Sequence, residues 1–305
     1  MKVYIDNILY QLNTNFFKIT GNKLQVFVLK MVLLILLLFM NDTTVLAILM
    51  PIIIVPGLLI NSVTTNRYYW LILTLFSTIP YLIMDLVGYV PNHKHIFAYV
   101  IIAITITIFL SEQKKQLNYL GIQAKYIIGL CFLFAVIGKF LAPEFIDGSF
   151  FEFTNTADSR FFGFTSFAAD IDSKLLLANE KNLLNLMNTQ NPDTFFVLNG
   201  VENLSSIGLI VSYWTIFIEG MIAITFCLPS NFLLSKWRNI FLIAFILTTY
   251  PIATVAGFAI ILVTLGFIQS IKNNKLTYYS LFYLLVFIFL PLIKIPFLRV
   301  FNALF

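Results

Sequence analysis

Apolar segments follow one another through almost the whole chain, and that succession limits the folds open to it. They lie at about 25–40, 43–60, 69–90, 95–111, 121–143, 207–229, 239–250, 252–269 and 277–297. Roughly 20 helical residues cross a hydrocarbon core, and most of these runs reach that length with their flanks. Inside a bilayer every backbone N–H and C=O must be paired within the protein, which a helix does by itself. The expected fold is therefore all-α, a polytopic membrane helical bundle of about eight or nine transmembrane segments. Composition agrees: 60% of the 305 residues are hydrophobic, 11% are charged, and mean hydropathy is +0.92. A water-soluble domain could not cover that much apolar surface with so few charges.

Four regions are expected. Residues 1–24 carry Ile5, Ile8, Leu9, Leu12, Phe16 and Phe17 at helical spacing among Lys2, Lys18 and Lys23, the pattern of an amphipathic surface helix. Residues 25–143 hold five spans, 144–206 form a long extramembrane loop, and 207–305 hold the remaining spans. The first apolar run lacks a small-residue cleavage pattern and is expected to be retained. Tyr68, Tyr69 and Trp70 suit an interfacial belt. Tyr250-Pro251 divides the stretch 239–269 into two segments, since proline removes a helix hydrogen bond.

Loop charges then orient the chain. With the N-terminus in the cytoplasm, the inner segments hold Lys2, Lys18, Lys23, Arg67, Lys114, Lys115, Lys125, Lys236, Arg238, Lys272 and Lys275. The short outer loops hold Lys94 alone, and Arg299 lies in the tail, as the positive-inside rule requires of an inner-membrane protein. The net charge of +5 is scattered through these loops and is not the footprint of a nucleic-acid surface. Cys131 and Cys227 sit within apolar runs and read as buried apolar residues, not as a disulfide or metal site. The loop 144–206 falls outside the cytoplasm with nine of the fourteen acidic residues. Its phenylalanines (150, 151, 153, 161, 162, 164 and 167) are expected to cap the bundle, and the leucine spacing from Ser173 to Asn188 predicts a short helix.

Ionisable residues within or beside the spans are Lys30, Asp85, His93, His95, Lys139, Glu219 and Lys294. Such residues are costly in hydrocarbon unless they snorkel, pair or take part in a reaction. Asp85, His93, Lys139 and Glu219 fall in the outer half of the expected bundle, and Tyr250 marks the outer tip of the broken hairpin. A desolvated lysine can act as a neutral base, with a histidine or carboxylate to orient it or take the proton onward. The pair His93 and His95 lacks further ligands for a metal.

Asn92-His93, the helix YIIGLCFLFAVIGKFLAPEFIDG and the later YWTIFIEGMIAITFCLP resemble the HTTM family. These are membrane domains related to vitamin K-dependent gamma-glutamyl carboxylase. The shared turn has the form Lys-x-x-x-x-[Asp/Glu]-[aromatic]-x-x-Gly, here Lys139, Glu144, Phe145 and Gly148. The resemblance implies a membrane enzyme acting with a quinone-type lipid, in which Lys139 is the base and His93 supports it; Asp85 and Glu219 join them as candidate catalytic residues by their outer-half placement, and Tyr250 at the hairpin tip is the candidate cofactor contact. Family members carry Phe-His near the broken hairpin, where this chain has Thr249-Tyr250-Pro251, and the carboxylase's C-terminal soluble region has no counterpart in these residues. Two other functions use the same residues: a proton-coupled transporter with Asp85, Lys139 and Glu219 as relay, and a non-catalytic membrane partner of a secreted peptide. A transporter should show an inverted repeat, and none is visible in the sequence.

Overall fold

A computed structural model describes residues 2–11, 21–39, 44–87, 92–188, 203–253, 255–273 and 275–290. Among them every regular element is a helix, apart from an isolated bridge between Lys272 and Lys275. The chain forms two compact units, Met1–Ile128 with Ala256–Phe305, and Gly129–Val255.

The first unit contains α1 (Lys2–Gln11), α2 (Gly21–Phe39), α3 (Thr44–Leu59), α4 (Asn61–Thr64), α5 (Arg67–Val87), α6 (Asn92–Leu110), the first part of α7 (Gln113–Leu141), α14 (Ala256–Ser270) and α15 (Tyr278–Phe289). Helix α14 is its centre. Every residue from Ala259 to Ser270 is buried, as befits a helix apolar on nearly all sides, and it packs against α2, α6 and α15.

Helix α5 exposes an apolar face on its outer side as well as burying one. The outward stripe of α5 is Leu71, Ile72, Leu75, Phe76, Ile79, Leu82, Ile83 and Leu86, all exposed. Its inward face holds Trp70, Leu73, Ser77 and Tyr81, all buried, beside Thr74. Thr74 and Thr105 share a 2.7 Å hydroxyl contact between α5 and α6, Thr107 donates to Gln123 at 2.7 Å, and Gln25 donates to Gln116. Side-chain hydrogen bonds of this kind tie neighbouring helices together and satisfy their buried polar atoms.

Four readings of the sequence change here. Trp70 is fully buried and its Nε1 donates to the Thr64 carbonyl at 2.7 Å, so it anchors the interior and is not part of a belt; Tyr68 alone of the three keeps a largely exposed ring. Lys125 is a buried residue inside α7, not a loop charge. Helix α7 starts at Gln113, eight residues before the apolar run at 121, because Gln116 and Leu117 turn inward and give its polar start a buried face. Lys94 is also buried, and it donates to the carbonyl of Phe39 at the end of α2, one of the acceptors a helix leaves unpaired. Its charge is therefore not free in a loop.

The second unit contains the rest of α7, α8 (Pro143–Ile146), α9 (Ser149–Ala157), α10 (Phe162–Ala169), α11 (Ser173–Asn188), α12 (Leu204–Cys227), a 3₁₀ turn at Leu234–Trp237 and α13 (Arg238–Thr249). Helix α12 is the hub, touching α8, α9, α10 and α13. Phe151, Phe161 and Val211 form a buried cluster joined by Phe145, Phe150, Phe164 and Ile207, while Phe162 packs with Ile171, Leu176 and Leu204. Most of these phenylalanines thus pack against α12 and its neighbours, with two exceptions. Phe153 and Phe167 are 46% and 90% exposed. Each lies two residues, about half a turn, from a buried neighbour (Phe151 and Thr165), which turns it outward.

Between α9 and α10, Arg160 Nε donates to both Asp158 oxygens at 2.9 Å. Burial raises the Asp158 carboxyl, but the hydrogen bonds and charge of Arg160 outweigh it and hold the group below its usual value. The stabilisation exists above the unfolded-state pKa of about 3.9 and is lost as pH falls through the lower folded-state value. Arg160→Ala should move the Asp158 titration upward in a carboxyl-carbon NMR experiment; an unmoved midpoint would show that Arg160 does not set it.

Two described helices, α7 and α12, are long and apolar enough to cross a membrane; Val45–Leu59, Lys94–Leu110, Ala256–Ser270 and Tyr278–Phe289 are shorter apolar helices.

Candidate functional site

Helix α7 carries Lys139 in its last turn, and Glu219 is the only charged residue of α12. The two meet: Lys139 Nζ donates to Glu219 Oε2 at 2.5 Å. Both are well covered, with 14% and 9% of their side-chain surfaces exposed. The ammonium also lies 5.4 Å from the centre of the Phe145 ring, a cation–π distance.

The turn after α7 places that ring. Pro143 opens α8 at a position where the missing N–H costs nothing, and Phe145 stacks on Phe150 with centroids 4.1 Å apart. The Phe145 carbonyl accepts a hydrogen bond from Ser212 Oγ, which fastens the turn to α12. Gly148 has φ +82 and caps α9. A Cβ there would sit 2.7 Å from the backbone nitrogen of Leu209, and a Cβ on Gly208 would sit 2.8 Å from the Gly148 carbonyl oxygen. The two glycines therefore let backbone meet backbone, and the contact fixes Phe145 and Lys139 relative to Glu219, about three turns further along α12. Asp147 accepts the Ser149 backbone N–H at 2.9 Å, and its hydrogen bonds to Ser149 hold its exposed carboxyl below the usual range.

A second group of polar atoms lies close by. Cys131, two turns before Lys139 on α7, is within electrostatic reach of both Glu219 and Lys139. The Tyr250 hydroxyl is in turn within reach of Cys131. Phe132 packs edge-on against Phe245 at 5.0 Å, and Phe245 against Tyr250 at 6.0 Å, so α13 brings Tyr250 to this part of α7. Trp214 Nε1 donates to Thr248 Oγ1 at 3.2 Å and ties α12 to the same end of α13. The Tyr250 hydroxyl and Thr249 Oγ1 are both buried without a hydrogen-bond partner. Leaving such groups unpaired costs about 1–3 kcal/mol each, so they are places where a ligand atom can be accepted.

No family model, curated protein or solved structure matches the chain.

Of the residues singled out in the sequence, the structure brings Lys139 and Glu219 into contact and sets Tyr250 against Phe245, which packs on Phe132 of α7, two turns before Lys139. The side chains of Asp85 and His93 lie outside the described residues, as does Lys294. Cys131, Thr249, Phe145, Ser212 and Gly208 were not among the candidates. Phe145 stood in the Lys139-to-Gly148 turn without a role of its own, and Cys131 shares a helix face with Lys139 at a spacing of eight. Among the described residues no three His, Cys, Asp or Glu side chains gather closely enough to hold a metal ion.

Proposed function

We propose that this is a polytopic inner-membrane protein of the HTTM type, and that Lys139 and Glu219 are a proton-transferring pair acting on a quinone-type lipid. The observation that carries this reading is the 2.5 Å contact itself: the two described helices long and apolar enough to cross a membrane each bring one charge to it. The exposed hydrocarbon stripe of α5 supports a lipid surround, because a water-soluble protein rarely exposes so continuous an apolar face.

The chemistry follows from the pair. Passing a proton from Nζ to the Glu219 carboxylate turns an ion pair into a neutral amine beside a neutral acid, an exchange that low dielectric favours. The amine lone pair then takes the proton of a quinol hydroxyl. The unpartnered hydroxyls of Tyr250 and Thr249 suit the oxygen at the other end of such a ring. In nanodiscs, a naphthoquinone should quench tryptophan emission saturably, and the protein should accelerate air oxidation of the naphthoquinol. Lys139→Arg should keep the quenching and lose the acceleration, since guanidinium stays protonated. Undiminished acceleration in Lys139→Arg would end the base assignment.

The orientation is tested separately. Asn179 is fully buried and donates to the Thr156 carbonyl at 3.3 Å, so a label belongs on its exposed neighbour Ala178. With Cys131 and Cys227 replaced by alanine, Ala178→Cys should react with an impermeant maleimide from outside the cell. Glu112→Cys, also exposed, should react only after permeabilisation. The reverse pattern would place the 144–206 region in the cytoplasm.

A further inference from the structure

The first unit has an open cavity of about 420 Å³ that the Lys139 site does not use. It is lined by Lys23 and Val26 of α2, Asn61 and Ser62 of α4, Thr65 just after α4, and Gln113 at the start of α7. Its size falls within the ~300–1,000 Å³ typical of small-ligand sites. Of the six described lining residues five are polar, one of them a cation, and none is a carboxylate. The nearest acid in the sequence, Glu112, is paired with Lys115 at 3.2 Å. Arg67, two residues beyond Thr65, is held over the Tyr68 ring at 4.9 Å.

The donors define the ligand. Lys23 offers an ammonium, Asn61 and Gln113 offer amide N–H groups, and Ser62 offers a hydroxyl. Thr65 Oγ1 donates to the carbonyls of Asn61 and Ser62, which keeps the end of α4 in shape. Three neutral donor side chains around one cation suit an anion with more than two acceptor oxygens. We propose that this cavity binds a phosphoryl group. Lys23 sits where the apolar course of α2 begins, and Tyr68 where that of α5 begins, which is headgroup level if the membrane reading above holds. The source that fits that level is an anionic phospholipid; a soluble phosphate compound carries the same chemistry.

Native mass spectrometry of detergent-solubilised protein loaded with phosphatidylglycerol tests the site, with diacylglycerol as the phosphate-free control. The wild type should retain phosphatidylglycerol and not diacylglycerol. Lys23→Gln and Asn61→Leu should each reduce retention at least fivefold while the thermal midpoint stays put, since Lys23 is exposed and leaves no buried gap. In a parallel arm, inorganic phosphate is titrated and its phosphorus NMR line followed. Lys23-dependent broadening with no lipid retention would assign the site to a soluble phosphate. Equal behaviour of wild type and Lys23→Gln in both arms would overturn the proposal. Protein left in the supernatant after membranes are sedimented would refute the membrane reading instead, and the phosphate arm would still decide the cavity.

Discussion

Lys139→Ala is expected to abolish quinol oxidation and also to lower the unfolding free energy by about 3–5 kcal/mol, the usual cost of stranding one partner of a buried ion pair. The sequence alone gives no reason for the second effect, because a single membrane lysine can be removed without penalty. The structure supplies it in Glu219, 9% exposed and within 2.5 Å. A double-mutant cycle separates the two roles. Lys139→Met combined with Glu219→Leu should recover most of the thermal midpoint, since an apolar pair of similar volume replaces both charges. It should recover none of the activity. The charge reversal Lys139→Glu with Glu219→Lys should likewise restore stability and remain inactive, because the amine then projects from the wrong helix. If Lys139→Ala were as stable as the wild type, the contact would contribute nothing to folding and the pair would have to be read as loosely held.

Gly148→Ala should have the other large effect. An L-residue at φ +82 costs about 1–2 kcal/mol, and the added methyl meets the Leu209 backbone, which cannot rotate away. Gly208→Ala has no φ penalty, yet its methyl meets the Gly148 carbonyl and the Glu152 backbone nitrogen, so it should weaken the same contact. Both variants should lift the α8 turn from α12 and carry the Phe145 ring away from Lys139. The measurable sign is faster modification of Lys139 by a membrane-permeant amine reagent, read by peptide mass spectrometry. Unchanged reactivity in both would mean that the glycine contact does not position the site.

Much of the helical order could be read from residue pattern. The break at Tyr250-Pro251 separates α13, ending at Thr249, from α14, starting at Ala256, and proline chemistry is local. The helix Ser173–Asn188 was visible because its leucines recur at helical spacing. What was hidden depends on contacts between distant residues. Gly148 stood out in the sequence, but its partner Gly208 lies 60 residues away, and nothing local announces that two backbones will touch. The start of α7 was hidden for a different reason. Hydropathy marks polar residues as solvent-facing, whereas Gln116 and Lys125 are buried. Cys131 looked like apolar filler because its significance comes from Glu219 on another helix and Tyr250 beyond a third.

The charge pair also has a consequence for how the chain is made. In the proposed membrane, an unpaired lysine or glutamate near a helix centre costs about 2.5–3.5 kcal/mol on insertion scales. Helix α7 leaves the ribosome first and carries Lys139 without a partner until everything through α12 has been synthesised. During that interval α7 can hold its place only by keeping the lysine at the interface, which its position in the last turn allows. Glu219 lies deeper in its own helix, with Gly220 to Cys227 still to follow, so α12 gains most from finding α7 already there. In the proposed topology, secretion of the intervening segment and lateral entry of α12 would thereby be linked steps of biogenesis, with the ion pair as the point where the first insertion event waits for the second.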